Sequence, residues 1–166
     1  TSTAGGVILV SGTIGANTAI GALTLSSTAP AGLVTLQNAV TSIGDVTISA
    51  ETILIDGTID TTGAAAGLGN VVLTSTFLTA LTENITTADG DITLNGFTRI
   101  DTSLTLQSAT GDVHINGALD SNDPGGPPVA GLTIVATTGD VFLQADLGTG
   151  TTLADATKCI LVSFDS

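Results

Sequence analysis

The chain has 166 residues, of which 42% are apolar, so it is long enough for one domain with a hydrophobic core and too apolar for a disordered segment. Two basic residues stand against fifteen acidic ones, which gives a formal net charge of -13. Nucleic acid and anionic membranes are therefore not expected as partners, because both bind clusters of Lys and Arg. The apolar runs are too short for a transmembrane helix, so we expect no membrane insertion.

The composition favours strands built from small and branched side chains. There is no Trp, Tyr or Met and only four Phe, against 21 Gly, so Val, Ile, Leu and Ala must fill the interior. Cys159 is the single cysteine, which excludes an internal disulfide, and we expect it to be a small buried apolar residue. The chain begins at Thr1 without Met, as expected of a processed chain or of an excerpt from a longer one.

A short pattern, Gly-x-Φ-x-Φ with Φ an aliphatic residue, recurs along the chain. It begins at Gly5, Gly21, Gly32, Gly44, Gly69, Gly90, Gly111 and Gly139. A second set of alternating apolar and polar segments lies between these, at 51–56, 102–108 and 131–136. Each repeat is therefore predicted to hold at least two short strands, and helical periodicity is absent.

Repeats of this length cannot bury an apolar face alone, and stacking of successive copies solves that problem. We predict an all-β fold, a right-handed parallel β-helix (β-solenoid) with rungs of about 20–28 residues and roughly six to eight rungs. The predicted inward ladder is Val46 and Ile48, Val71 and Leu73, Ile92 and Leu94, Val113 and Ile115, and Val141 and Leu143. The residues between them are predicted to point outward: Thr47, Val72, Thr93, His114 and Phe142.

The two ends of the chain resemble each other. Residues 7–20 match residues 141–153 with one deletion, which indicates a super-repeat of about 133 residues. We expect residues 1–166 to form a single β-solenoid domain, with one super-repeat at 5–138 and the start of a second at 139–166. Open strand edges need a cap or a partner, so copies of the chain or adjoining repeats of the same chain are the expected partners.

Four of the glycines are followed by Asp. The predicted turn ladder consists of Gly44, Asp45, Gly90, Asp91, Gly111, Asp112, Gly139 and Asp140. Gly accepts backbone angles that other residues avoid, and Asp can accept hydrogen bonds from nearby backbone amides. By the same reasoning Asn95-Gly96 and Asn116-Gly117 are predicted to be left-handed turns. Stacked carboxylates repel by about 1 kcal/mol per solvated pair, and either local amides or bound Ca²⁺ can offset this repulsion.

An insertion at 119–131 lengthens its repeat and contains three of the four prolines. Asp120, Asn122 and Asp123 in this insertion could provide oxygen ligands for a weak calcium site, although the spacing of an EF-hand is missing. The alternative is a projecting loop, which would be the best place for a partner to bind. No other cofactor is expected.

Residues suited to catalysis are few. His114 is the only histidine and has no Ser or Cys at a spacing that supports a triad. Arg99 with Asp101 is the one mixed charge cluster, and aromatic residues that could stack on sugars are almost missing. We therefore expect a protein that is not an enzyme.

The segments "GDVTISAETILIDGTIDTTG" (44–63) and "GDITLNGFTRIDTSLTLQSATGDVHINGALDS" (90–121) resemble the repeats of large secreted bacterial exoproteins and adhesins of the filamentous-haemagglutinin type. The resemblance implies a right-handed parallel β-helix, an extracellular or cell-surface location and a role in a fibre or adhesin. Host or matrix polysaccharide is a further partner to consider. A secreted β-helix that binds or cleaves polysaccharide is the alternative function, and a stack of β-sandwich domains is the alternative fold.

Overall fold

The computed structural model describes residues 6–27, 30–121 and 130–144, and the backbone of 160–163. Every regular element in these ranges is a β-strand, and every pair of strands is parallel. Within the same ranges there is no helix long and apolar enough to cross a membrane. The all-β prediction is therefore confirmed for the described part of the chain.

The strands form three faces of a coil, with faces A and B in one hydrogen-bonded sheet and face C in another. Face A consists of β2 (Leu23–Ser27), the first half of β5 (Val46–Ile55), the first half of β7 (Val71–Leu81), β9 (Ile92–Asn95), β12 (Val113–Ile115) and β15 (Val141–Leu143). Face B consists of β1 (Val7–Val10), β3 (Leu33–Leu36), the second halves of β5 and β7, β10 (Thr98–Ile100) and β13 (Leu119–Ser121). Face C consists of β4 (Val40–Thr41), β6 (Ile59–Thr61), β8 (Ile85–Thr87), β11 (Leu104–Ser108), β14 (Leu132–Ala136) and β16 (Ile160–Ser163).

The chain visits faces A, B and C in turn, and each circuit stacks on the one before it. Equivalent corner residues of successive coils are 25, 21, 21 and 28 residues apart. The described strands make about five complete coils, with part of a further coil at each end. The predicted parallel β-solenoid is thus confirmed, whereas the complete coils within the described residues are fewer than the six to eight expected for the chain.

Each complete coil contributes one strand segment to each of the three faces, and the second set of predicted segments belongs to two different faces. Segment 51–56 lies on face B, but segments 102–108 and 131–136 lie on face C. The strands after Gly5 and Gly32 pair with each other on face B, which accounts for the irregular spacing of the early glycines. Sequence alternation located the strands but did not separate the two faces.

The two similar segments at the chain ends do not begin at equivalent positions on the coil. Val7 pairs with Leu33 on face B, whereas Val141 pairs with Val113 on face A. The two matched segments therefore begin on different faces of the solenoid.

The interior is a continuous aliphatic column. The predicted inward residues from Val46 to Ile115 are at most 1% exposed, and they pack in one core with residues of faces B and C. Val141 is half-buried and Leu143 is 37% exposed, because they belong to the last described strand of face A. The predicted outward residues on face A are half-buried or exposed, so the predicted inward and outward sets are confirmed apart from this terminal strand.

Candidate functional site

The corner between faces C and A carries a ladder of polar side chains, which is the most regular feature of the surface. We call it the acidic ladder, and its members are Asp45, Asn70, Asp91, Asp112 and Asp140. Each of the first four side chains accepts a hydrogen bond from the backbone N–H of the next member along the chain: Asp45 from Asn70 at 2.9 Å, Asn70 from Asp91 at 2.8 Å, Asp91 from Asp112 at 2.8 Å, and Asp112 from Asp140 at 2.8 Å. The side chains therefore tie successive coils together.

This arrangement explains how the stacked carboxylates are tolerated. A hydrogen bond to a charged acceptor contributes about 1.5–3 kcal/mol, whereas the repulsion of a solvated carboxylate pair is about 1 kcal/mol. Asn70 also separates Asp45 from Asp91 and donates its own amide hydrogen to Asp45 at 3.1 Å. The expected amide bonds are present, and their donors lie on the following coil.

Glycine is required before each of the four Asp residues of the acidic ladder, but for a different reason from the one predicted. Gly44, Gly90, Gly111 and Gly139 do not have a positive φ angle, so the expectation that they supply unusual backbone angles is wrong. A Cβ on each would instead overlap the backbone of the corner glycine of the preceding coil, as Gly111 would with Gly90. Close stacking of backbones, which only Gly allows, fixes the residue type here.

The two Asn-Gly pairs at the corner between faces A and B behave differently from each other. Gly96 has a φ of 95°, as predicted, but Gly117 does not have a positive φ and the left-handed prediction is wrong there. A Cβ on Gly117 would meet the carbonyl group of Gly96. The Asn116 side-chain amide donates to Asn95 Oδ1 at 2.9 Å, so these asparagines form a second ladder between coils.

A column of buried hydroxyl groups supports the acidic ladder from inside. It consists of Ser42, Thr61, Thr87 and Ser108. Ser108 Oγ accepts the N–H of Gly111 at 2.9 Å and donates to the carbonyl of Gly90 at 3.0 Å, so it joins two coils at the corner. Sequence reasoning missed this column, although a Ser or Thr two or three residues before the corner glycine, as at Ser42, Thr87 and Ser108, is a usable signal.

The proposed calcium ligands are only partly described. Asp120 lies in β13, where its carboxylate accepts the N–H of Ser121 at 2.8 Å, whereas Asn122 and Asp123 lie outside the described residues. Across the described ranges, no three His, Cys, Asp or Glu side chains come together in a group that could hold a metal ion. Cys159 also lies outside the described residues.

Arg99 and Asp101 form a bidentate ion pair on face B. Arg99 Nε lies 2.7 Å from Asp101 Oδ1, and the Arg99 terminal nitrogen donates to Asp101 Oδ2 at 3.0 Å. The hydrogen bond from Arg99 to Asp101 raises the pKa of the guanidinium group. One edge of the Arg99 guanidinium donates to both carboxylate oxygens of Asp101, so Arg99 is held in place on the surface.

His114 and Phe142 stack on the outside of face A. Their ring centroids are 4.6 Å apart and their planes differ by 3°. His114 Nε2 also lies 3.8 Å from Asp112 Oδ2 of the acidic ladder. The pair is a small aromatic surface beside the Asp112 carboxylate, formed by equivalent positions of two successive coils.

The fold and the corner ladders together define a parallel β-solenoid repeat protein whose polar side chains join one coil to the next. Comparison of the chain with protein-family models, with curated proteins and with solved structures finds no match.

Proposed function

We propose that this chain is a structural repeat unit of an extracellular or cell-surface fibre or adhesin, without enzymatic activity. In this proposal the solenoid stacks end to end on further copies or on adjoining repeats of the same chain. The observation that carries it is that the core is fully buried within the stack and partly exposed at both ends of the described residues.

At the N-terminal end, inward aliphatic side chains are only half-buried. Ile8, Val10, Leu23 and Leu25 pack on the core but have no described coil above them, whereas Ile48 and Leu73 in the next coils are 0% exposed. At the other end Leu143 is 37% exposed. Covering these residues with another coil would bury apolar surface at about 25 cal/mol per Å², which favours continuation of the stack.

The acidic ladder has a direction that supports continuation. In every step the acceptor side chain belongs to the earlier coil and the N–H donor to the later coil. Asp140 ends the described ladder and is exposed, so its carboxylate is placed to accept the N–H of one more coil. Contact between unlike ends of identical units is a heterologous interface, which produces open filaments.

The extracellular location is supported by the resemblance of 44–63 and 90–121 to exoprotein repeats. A net charge of -13 with only two basic residues keeps such an apolar chain soluble outside the cell.

Polysaccharide binding is the second candidate, and the His114–Phe142 stack is the observation that favours it. Phe142 is 37% exposed and stacks on His114, whose Nε2 lies 3.8 Å from Asp112 Oδ2, so an exposed aromatic ring and a carboxylate acceptor stand close together on face A. Polysaccharide cleavage receives less support, because the one arginine near acids is already paired with Asp101.

Electron microscopy of the purified chain tests the proposal. We expect uniform unbranched filaments that lengthen with protein concentration. Dispersed single particles that bind or degrade polysaccharide would contradict the fibre proposal and favour the second candidate.

A further inference from the structure

Two Asn-Gly pairs lie at the corner between faces A and B, on successive coils, and they differ in exposure. Asn116 comes directly after β12 and is exposed, whereas Asn95 is the last residue of β9 and is half-buried. Asparagine before glycine is chemically labile, because glycine has no side chain to hinder attack of its backbone nitrogen on the side-chain carbonyl carbon of the asparagine. The two pairs therefore have the same intrinsic reactivity in different surroundings.

The side chain of Asn95 is held by both neighbouring coils. Its amide nitrogen donates to Thr74 Oγ1 on the preceding coil at 3.2 Å, and its oxygen accepts the amide of Asn116 on the following coil at 2.9 Å. Its backbone is also fixed, because β9 pairs with β7 in a register that sets Asn95 beside Thr74. Attack by the nitrogen of Gly96 on Asn95 therefore needs a local opening that breaks both side-chain bonds.

The side chain of Asn116 is held on one side only. Its amide nitrogen donates to Asn95, and its oxygen accepts no hydrogen bond within the described residues. The following coil passes this point at Gln144, whose backbone N–H donates to the carbonyl of Ile115 at 3.0 Å, and Asn116 is nevertheless exposed. Rotation of the Asn116 side chain toward Gly117 therefore breaks a single described hydrogen bond and needs no opening of the coil.

We propose that Asn116 is a site of spontaneous deamidation in the folded protein. The backbone nitrogen of Gly117 bonds to Asn116 Cγ, and the bond between Cγ and the amide nitrogen breaks. The amide group leaves as ammonia with the proton that the Gly117 nitrogen loses, so that a cyclic succinimide remains. Water then opens the ring at either carbonyl carbon, which gives aspartate or isoaspartate. Water is the only co-reactant, so the reaction does not depend on the proposed function.

The products change the ladder that Asn95 and Asn116 form between coils. Both replace the amide donor of Asn116 by a carboxylate, which cannot donate to Asn95 Oδ1 and adds negative charge to a chain of net charge -13. Isoaspartate also inserts a backbone carbon before Gly117, whose backbone lies so close to Gly96 that an added Cβ would overlap the Gly96 carbonyl group. We therefore expect deamidation to loosen this corner of the stack. A fibre that persists outside the cell would accumulate the product with age.

Two other asparagines of the same chain serve as internal comparisons. Asn84 is exposed like Asn116, but it precedes Ile85, whose branched side chain hinders attack by its own nitrogen. Asn95 precedes glycine like Asn116, but it is half-buried and held by two coils. Asn84 therefore tests the effect of the following residue, and Asn95 tests the effect of the fold.

Peptide mapping by mass spectrometry tests the proposal after incubation of the folded chain at mildly alkaline pH, which favours loss of the Gly117 amide proton. Cleavage after Arg99 separates Asn84 and Asn95 from Asn116. We expect Asn116 to be converted at least about tenfold faster than Asn95, with isoaspartate among the products, and Asn84 to stay intact. In urea, where the coil no longer protects Asn95, Asn95 and Asn116 should react at similar rates.

Asn116→Gln provides the control for the effect on the fold, since it keeps an amide donor and its larger ring closes slowly. We expect the incubated natural chain to melt at a lower temperature than the fresh chain. Asn116→Gln should melt at the same temperature before and after incubation. Asn116→Ser, at the same exposed position, serves as the control if Asn116→Gln does not fold.

Equal rates of conversion for Asn95 and Asn116 in the folded chain would overturn the proposal. An intact Asn116 in the folded chain, under conditions in which the unfolded chain reacts, would overturn it too. An unchanged melting temperature after conversion of Asn116 would show that the expected loosening of the corner is wrong.

Discussion

The carboxylate of Asp91 accepts a hydrogen bond of 2.8 Å from the backbone N–H of Asp112, its equivalent on the next coil. The same relationship joins Asp112 to Asp140 and, through an amide oxygen, Asn70 to Asp91. The Gly-Asp pair that recurs in the sequence therefore forms a ladder of side chains parallel to the axis of the coil.

Replacement of Asp91 tests the ladder directly. Asp91→Ala removes the acceptor for the Asp112 N–H and should lower the free energy of unfolding by about 1–2 kcal/mol. Asp91→Asn keeps an acceptor oxygen, as Asn70 does in the natural chain, and should change stability by less than about 0.5 kcal/mol. Urea unfolding measures both variants, and equal stability of the two would contradict the proposed role of the oxygen.

Two glycines at corners of the coil provide a second matched pair of variants. Gly111→Ala places a methyl group against the backbone of Gly90 and should destabilise the fold by at least about 2 kcal/mol. Gly21 stands at the equivalent corner of an earlier coil but has no atoms near its Cβ position, so Gly21→Ala should change stability by less than about 0.5 kcal/mol. Thermal unfolding followed by circular dichroism compares them, and a tolerated Gly111→Ala would refute the close-stacking explanation.

Thr98 is the position where the core can be improved. Its side chain is 0% exposed, and its Oγ1 has no hydrogen-bond partner among the described residues. Thr98→Val should therefore stabilise the fold by about 1 kcal/mol, because it removes a buried polar atom at nearly constant volume. Thr79→Val is the control, since Thr79 Oγ1 donates to Ser75 Oγ at 3.0 Å and its loss should not stabilise. Destabilisation by Thr98→Val in urea unfolding would show that the hydroxyl has a partner.

Removal of calcium with a chelator distinguishes the two explanations of how stacked carboxylates are tolerated in the acidic ladder, namely backbone amides or bound Ca²⁺. Because each ladder carboxylate from Asp45 to Asp112 accepts a backbone N–H, we expect the melting temperature to be the same in EDTA and in millimolar CaCl₂. A rise of several degrees in calcium would mean that bound metal stabilises the native state, and the ladder or the segment with Asp120, Asn122 and Asp123 would then be a metal site.

The sequence was sufficient to predict the solenoid and its inward residues, because alternation and repeat spacing are local patterns. Val71, Ile92 and Val113 stand at the same step of successive repeats, so their shared burial follows from the pattern. The face occupied by a strand depends on the strand that it pairs with on the next coil. Segment 51–56 is an example, because only its pairing with β3 and β7 places it on face B.

The role of the corner residues was predicted in part. Asp was expected to accept backbone amides, but the donors belong to the following coil, 21 to 28 residues away, and sequence alone does not specify that geometry. For Gly111 the requirement for glycine was predicted, but the reason given for it was wrong. The close approach of two coils depends on how the coils stack, which local sequence does not show. The exposed apolar side chains of face B, such as Val7, Leu9 and Phe97, were not predicted, since the face of a strand depends on its pairing with other coils.

X-ray fibre diffraction from oriented filaments of the purified chain tests the central claim most directly. If units stack end to end, strands run across the filament and coils repeat along it, so we expect a strong reflection near 4.8 Å on the meridian. Failure to form filaments, or a 4.8 Å reflection on the equator, would contradict end-to-end stacking of the solenoid.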